Sequence, residues 1–275
     1  MIESTNTHLN AIIGLPALDD NYIWILVQGK DTLVIDPGAS APVVDWCRAN
    51  SRQPTAILLT HTHHDHIDGI ADLLETYGNT LPIYAHSEAQ LSFAFNPIDP
   101  EQTLTLGNIN LSVMLLAGHT PDHIGFYWSS EQSLFCGDSL FTGGCGRLFN
   151  GGTAAQMTQT LNAIAQLPPT TAIYCAHEYT LANLRFALRV EPDNTDTQQR
   201  LTTAKALRAA GIATVPSLLS EECATNPFLR MHIPHVALAI EHWWKAQTDN
   251  PIERFAQLRA WKNQLDATGV LEQDE

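Results

Sequence analysis

Residues 56–69 read AILLTHTHHDHIDG, an apolar run that passes directly into His61, His63, His64, Asp65 and His66. The run Ala56-Ile57-Leu58-Leu59 is short and bounded by polar residues, the pattern of a buried strand. A strand that feeds a turn and a helix delivers the turn's side chains to the crevice where α/β proteins commonly bind ligands. His61 and His63, two apart, can both face one point, while Asp65 and His66 can face a second. Neutral imidazoles beside a carboxylate are donors that zinc and iron accept. A lone histidine on an apolar face is ordinarily a hydrogen-bonded core residue; four ligand-type side chains within six residues point to a metal instead. His64 has no evident role in this spacing and is expected at the surface or in support of its neighbours.

Three further segments repeat the pattern of an apolar run ending in a ligand-type residue: His119 in LLAGHTPDH, Asp138 in LFCGDSLF and His177 in IYCAHEY. Singly, each is an ordinary strand end. Together they bring five histidines and two aspartates from four strand ends. His123, four residues past His119, is expected to support the ligands rather than join them, because metal-bound imidazoles need polar partners of their own.

The chain has 275 residues, of which 44% are hydrophobic, enough to bury a real core without disulfides. Its 29 acidic and 14 basic side chains give a formal charge of −15, which argues against nucleic acid as a partner and against anionic membrane surfaces. No segment approaches the run of about 18 apolar residues that spans a membrane, and the N-terminal residues lack a basic start followed by an apolar stretch. A soluble, cytoplasmic protein is expected. Its five cysteines, scattered without CxxC spacing, read as reduced thiols.

Along the chain, short β-branched runs alternate with turn signals up to about residue 175. Strands are predicted at 21–27, 32–35, 55–59, 81–85, 109–116, 124–128, 133–136 and 172–175. Helical patterns fall at 43–50, 69–77, 87–94 and 153–167, the last opening on a Thr cap and stopping at Pro168-Pro169. After His177 the spacing turns helical at 181–190, 197–210, 236–246 and 252–267, punctuated by Pro192, Gly211, Pro227 and Pro251. Two domains are expected, 1–177 and 178–275, the second α-helical, with the closing LEQDE frayed. Trp243, Trp244 and Trp261 read as interhelical packing, and Arg185 and Arg189 as a solvated face.

The order of the seven residues resembles the metallo-β-lactamase superfamily, whose mark is HxHxDH followed by separate His, Asp and His ligands. Within it, the fuller resemblance is to the glyoxalase II enzymes, the hydroxyacylglutathione hydrolases, carried by GHTPDHIGF, FCGDSLFTGGCGRLFNGG, CAHEYTLANLRFALRVEPDN and TNPFLR. It implies an α+β fold, an αββα sandwich followed by an α-helical C-terminal domain that closes over the substrate. It further implies two divalent metals, with zinc first and iron or manganese accommodated. One would be held by His61, His63 and His119, the other by Asp65, His66 and His177, with Asp138 bridging. Asp65 and Asp138 are thus both ligands and catalytic residues. Asp36 commonly supports the metal loop in this superfamily. Contacts to glutathione are implied at Arg147, Tyr179 and Arg230, and at Phe149, where many relatives have a tyrosine whose phenol this chain lacks. Many relatives also have lysine in place of Arg147, and some carry a lysine shortly after the TNPFLR arginine, which is missing here.

Two divalent ions, two carboxylates and one hydroxide leave about one positive charge, suited to a developing oxyanion. Ions roughly 3.5–4 Å apart also lower the pKa of shared water from about 15.7 toward 7. No protein nucleophile is then required, and there is no GxSxG elbow. A thiolate of pKa about 8.5 leaves without a strong general acid, which favours a thioester. The expected activity is hydrolysis of S-(2-hydroxyacyl)glutathione, S-D-lactoylglutathione foremost, by a metal-bridging hydroxide, in a monomer acting on a small molecule. Two rival readings are a glutathione persulfide dioxygenase with one iron and a metal-stabilised, non-catalytic binding module.

Overall fold

The run NYIWILVQ is buried at every position but its last, and it forms a strand, β2 (Asn21–Gln28). Such a continuous apolar run belongs to a strand covered on both faces. The computed structural model describes residues 10–272 and divides into two compact units, one reaching to Met114 and one starting at Leu115.

In the first unit β2 pairs antiparallel with β1 (Ala11–Ala17) and with β3 (Asp31–Ile35). The direction then changes: β4 (Ala56–Leu58), β5 (Ile83–His86) and β6 (Asn96–Ile98) run parallel to β3, giving the order β1-β2-β3-β4-β5-β6. Parallel neighbours need crossovers. Helix α1 (Ala41–Ala49) joins β3 to β4, and α2 (His64–Ile67) with α3 (Ile70–Tyr77) joins β4 to β5. Val43, Cys47, Ile70 and Leu73 of these helices bury against Ile25, Ile57 and Ile83 of the sheet. Because β3 and β4 run the same way, their C-terminal loops emerge at one edge: Asp36 after β3, and Thr60 to His66 after β4. A hairpin, β7 (Thr103–Leu106) with β8 (Ile109–Leu115), completes the unit's strands.

The second unit repeats the logic. Strand β9 (Ile124–Trp128) lies antiparallel to β10 (Ser133–Gly137), and β11 (Leu140–Phe141) pairs with β12 (Gly144–Cys145). Helix α4 (Ala154–Ala165) opens on a full capping box, Thr153 with Gln156, and crosses over to β13 (Ala172–Cys175), parallel to β10. The ends of β10 and β13 therefore coincide, and Ala176 N donates to Gly137 O (3.1 Å). Asp138 and His177 are delivered side by side. The helices α5 (Thr180–Val190), α6 (Thr195–Ala209), α7 (Leu219–Thr225), α8 (Pro234–Trp244) and α9 (Pro251–Thr268) complete the chain, with the short strand β14 (Ser217–Leu218) between α6 and α7. Helix α9 packs on α4 and α5 on β12, so these helices belong to the same compact unit as strands β9 to β13. The two compact units part after Met114.

Two local expectations are corrected. Residues 87–94 are not a helix: Ser87 Oγ bonds Asp99 Oδ1 (2.5 Å), Ala89 N bonds His86 O (2.9 Å), and Leu91, Phe93 and Phe95 turn alternately toward the core, a period of two rather than 3.6. The chain end is tied at Leu271, which is buried and whose carbonyl accepts from Arg185 Nη1 (2.9 Å); Gln273 to Glu275 lie outside the described residues. Trp243 stacks on Trp261 at 4.6 Å, as interhelical packing requires. No described helix is long and apolar enough to cross a membrane.

Behind the Gly143-Gly144 turn sits Glu222, fully buried, which accepts from Gly143 N (2.8 Å), Asn226 Nδ2 (3.0 Å) and Arg200 Nη2. Glu222→Ala would leave the largely buried Arg200 without its carboxylate. It should cost about 3–5 kcal/mol, read as a lowered urea midpoint.

Candidate metal centre

Backbone strain marks the start of the ligand-type cluster of the first unit. Asp36, directly after β3, takes a left-handed φ of 52°, which turns its carboxylate toward the end of β4. Asp36 Oδ1 accepts from Thr60 N (2.8 Å), and Oδ2 accepts from Thr60 Oγ1 (2.6 Å). The same Oδ2 faces His66 Nδ1 at 3.1 Å. A carboxylate only accepts, so His66 carries its proton on Nδ1 and has its lone pair on Nε2, the atom a cation would take. The Thr60 hydroxyl, having given its hydrogen to Asp36, must accept from His61 Nδ1 (3.1 Å). That fixes His61 in the same tautomer. One buried carboxylate thereby orients two imidazoles. Partnership of this kind typifies metal-binding histidines.

The donor atoms converge. His61 Nε2 lies 3.1 Å from His63 Nδ1, and His66 Nε2 lies 3.5 Å from Asp65 Oδ2. Asn21 Nδ2 holds Asp65 through Oδ2 (3.0 Å) and its backbone oxygen (3.3 Å). The loop fits only without side chains at two glycines: a Cβ on Gly38 would stand 1.8 Å from Asp65 O, and one on Gly69 would stand 2.6 Å from Pro37 O. His64, by contrast, is 91% exposed and pairs with Asp68 (3.1 Å).

The second unit gathers ligand-type side chains of its own. His119 Nδ1 donates to Arg147 O (2.8 Å), again leaving Nε2 unprotonated, and Nε2 faces Asp138 Oδ2 at 3.4 Å. His177 Nε2 faces the other oxygen, Oδ1, at 3.3 Å. Asp138 thus offers one oxygen to each imidazole. Two atoms each about 2.1 Å from one tetrahedral ion lie about 3.4 Å apart, so these spacings suit ligand pairs better than hydrogen bonds. His123 is wholly buried; its Nε2 accepts from Asp138 N (3.1 Å), and its Nδ1 therefore donates to Ser139 Oγ (3.2 Å), which donates to Leu116 O (2.8 Å). It braces the Asp138 turn. Gly146 closes the same turn, since a Cβ there would meet Asp138 O at 2.0 Å.

Beside His119 and Asp138 opens a cavity of about 350 Å³, lined also by Arg147, Phe149, Tyr179, Arg259 and Lys262. Tyr179 stacks on His177 (4.7 Å, 4° between planes), and Phe149 meets His119 edge-on (5.4 Å). Arg230 is not brought here. Its guanidinium makes a two-pronged bond to Glu191 (2.7 and 2.9 Å) at a different cleft, and that bond raises its pKa further. The cations present are Arg147 and two residues that sequence reading missed, Arg259 and Lys262. Spaced i, i+3 on a helix that looks like a charged surface, they gave no signal of being buried. Burial lowers the pKa of both, and Arg259's charge lowers that of Lys262 further. All five thiols are raised chiefly by burial, Cys145 to about 11 and Cys175 to about 12, so none offers a thiolate nucleophile near neutral pH. Donor set and tautomers together are those of a divalent-metal site.

Comparison with known sequences agrees. The model of the metallo-beta-lactamase superfamily matches residues 17–177, and that of the hydroxyacylglutathione hydrolase C-terminus matches 178–265. A hydroxyacylglutathione hydrolase of Alkalilimnicola ehrlichii is 44% identical, covering 93% of this chain and 100% of its own. One from Nitrosomonas eutropha is 41% identical, covering 90% and 96%. Among solved structures, the BLEG-1 B3 metallo-beta-lactamase superposes with a TM-score of 0.62 at 23% identity, covering 80% of this chain and 99% of its own. TTHA1623, solved in a di-iron-bound form, gives 0.58 at 24%, covering 80% and 100%. These two establish the metallo-β-lactamase fold.

Asp36→Ala removes no ligand yet frees both His61 and His66. It should weaken metal binding about 10- to 100-fold, measured by competition with a chelator.

Proposed function

The chain belongs to the hydroxyacylglutathione hydrolases of the metallo-β-lactamase superfamily, and from that membership we propose that it cleaves S-(2-hydroxyacyl)glutathione, S-D-lactoylglutathione foremost, to glutathione and D-lactate, the second step of methylglyoxal detoxification. The observation that carries this reading is the set of fixed tautomers: His61, His66 and His119 each give Nδ1 to a protein oxygen and keep Nε2 for a cation. We assign His61, His63 and His119 to one divalent ion, Asp65, His66 and His177 to a second, and Asp138 to both, with zinc the first candidate and iron or manganese accepted by the same donors. When bound, such a pair supplies hydroxide from water at neutral pH and positive charge for the oxyanion.

The chain's own side chains then account for the choice of substrate. Glutathione thioesters are anionic, and a protein of formal charge −15 repels them unless cations are gathered locally. Arg147, Arg259 and Lys262 line the cavity beside His119 and Asp138 and supply that charge. Guanidinium groups bind carboxylates with paired hydrogen bonds, an ammonium as a point charge. Tyr179 presents a phenol 38% exposed at the residue level, while Phe149 contributes only an apolar edge. The leaving thiolate needs little proton donation, so a strong general acid is not required of this cavity. In this reading 1–177 is the catalytic domain and 178–275, which holds Arg259 and Lys262, the substrate-binding domain. The five free cysteines suit a monomer working in the reducing cytoplasm.

His61→Ala and Asp138→Ala should each lose bound metal and at least about a thousandfold of kcat. Near-normal hydrolysis by metal-free Asp138→Ala protein would contradict the assignment. Lys262→Ala should raise KM for lactoylglutathione about tenfold while leaving kcat nearly unchanged, since its contact is made equally before and during reaction. Turnover should persist without oxygen; oxygen consumption with a single iron would instead mark persulfide chemistry.

A further inference from the structure

The three cations of the cavity share one counter-ion. Asp266 Oδ2 accepts from Arg147 Nη2 (3.2 Å) and Arg259 Nη2 (3.3 Å), and its Oδ1 accepts from Lys262 Nζ (2.8 Å). Arg147 comes from the loop after β12. The other three sit on α9 at positions 259, 262 and 266, spaced to fall on one face of the helix. The side chains of Arg259, Lys262 and Asp266 are 4%, 7% and 13% exposed, whereas that of Arg147 is 54% exposed. Two buried cations three residues apart repel each other, and burial already disfavours their charge.

We propose that Asp266 is a positioning residue, whose carboxylate draws Arg147, Arg259 and Lys262 into one cradle for the substrate's carboxylate and thereby sets a preference for anionic over neutral thioesters. The inference rests on the glutathione-thioester reading above. A simple lock, in which Asp266 occupies the place of the substrate's carboxylate, fits the hydrogen bonds less well. Arg259 is anchored independently by Cys145 O (2.9 Å) and Asn263 Oδ1 (3.0 Å). The Lys262 ammonium has three N–H groups, of which Asp266 takes one, and Arg147 gives one of its five to Asp266. Donors therefore remain for an incoming carboxylate while Asp266 stays in place. The groups acting on Lys262 are Asp266 and Cys145, which favour its charge, and Arg259, which opposes it. Arg147 reaches the same carboxylate, while His119, Asp138 and the exposed Glu272 line the cavity around them. Removing the Asp266 charge leaves the ammonium with burial and a neighbouring guanidinium against it, so its proton is lost at lower pH.

The test compares wild type with Asp266→Asn and Asp266→Glu. It uses calorimetric binding of S-methylglutathione and hydrolysis of both lactoylglutathione and an uncharged thioester, each across alkaline pH. Asp266→Asn should weaken S-methylglutathione binding and raise the lactoylglutathione KM about tenfold, with kcat changed less than KM. The alkaline loss of binding should begin at lower pH, and Asp266→Glu should recover most of the affinity. Thermal melting checks the fold of each variant, and Asp266→Ser serves as a second uncharged variant if Asp266→Asn is unstable. Tighter binding by Asp266→Asn, or equal losses on both thioesters with an unmoved pH profile, would overturn the proposal. Wild type that binds S-methylglutathione through Asp266 but hydrolyses neither thioester would overturn the hydrolase reading and uphold this one. Wild type that hydrolyses both thioesters while Asp266→Asn binds S-methylglutathione normally would do the reverse.

Discussion

A histidine binds a cation best when an acceptor holds the proton on its other ring nitrogen, and the strand ends of this chain supply such acceptors to three imidazoles. The Asp36 carboxylate, reaching both Thr60 and His66, settles the tautomers of two imidazoles at once. The carbonyl of Arg147 does the same for His119. For these acceptors to be present, strand ends that are remote in sequence must share an edge. Parallel pairing of β3 with β4 supplies it for Asp36, while that of β10 with β13 sets Asp138 beside His177. The secondary structure is thus a means of holding oxygen atoms against Nδ1 nitrogens.

Much of this is legible in the sequence alone. The ligand-type residues stand at the ends of apolar runs, and buried parallel strands have nearly unbroken apolar sequences, so Ala56–Leu58, Ser133–Gly137 and Ala172–Cys175 announce themselves. What stays hidden is of two kinds. Strand β1 is interrupted by Gly14 and Pro16, β6 and α7 carry mixed composition, and the alternation at Leu91, Phe93 and Phe95 passes for helical spacing. Burial of charge is also unreadable. Arg259 and Lys262 look like solvent-facing residues of a helix, whereas Arg230, singled out by its motif, is committed to Glu191. Nothing local in sequence reports which arginine already has a partner.

Electrostatics divides the labour. The chain as a whole is strongly acidic, which suits solubility and keeps polyanions away at long range. At the cavity the excess of acid disappears, with Arg147, Arg259 and Lys262 set against Asp138, Asp266 and Glu272. Arg259 and Lys262, buried and little screened, would discriminate among small anions more sharply than surface charges do.

Helix α9 gathers Arg259, Lys262 and Asp266 along a single stripe, while the proposed ion-holding side chains sit in loops at strand ends and on the short helix α2. On the proposed reading, part of the clientele is written on a stretch of polypeptide separate from the chemistry. A lineage could retune which acyl carrier it accepts by exchanging a few letters in one C-terminal segment, leaving the water-activating apparatus and the glycines packed around it untouched.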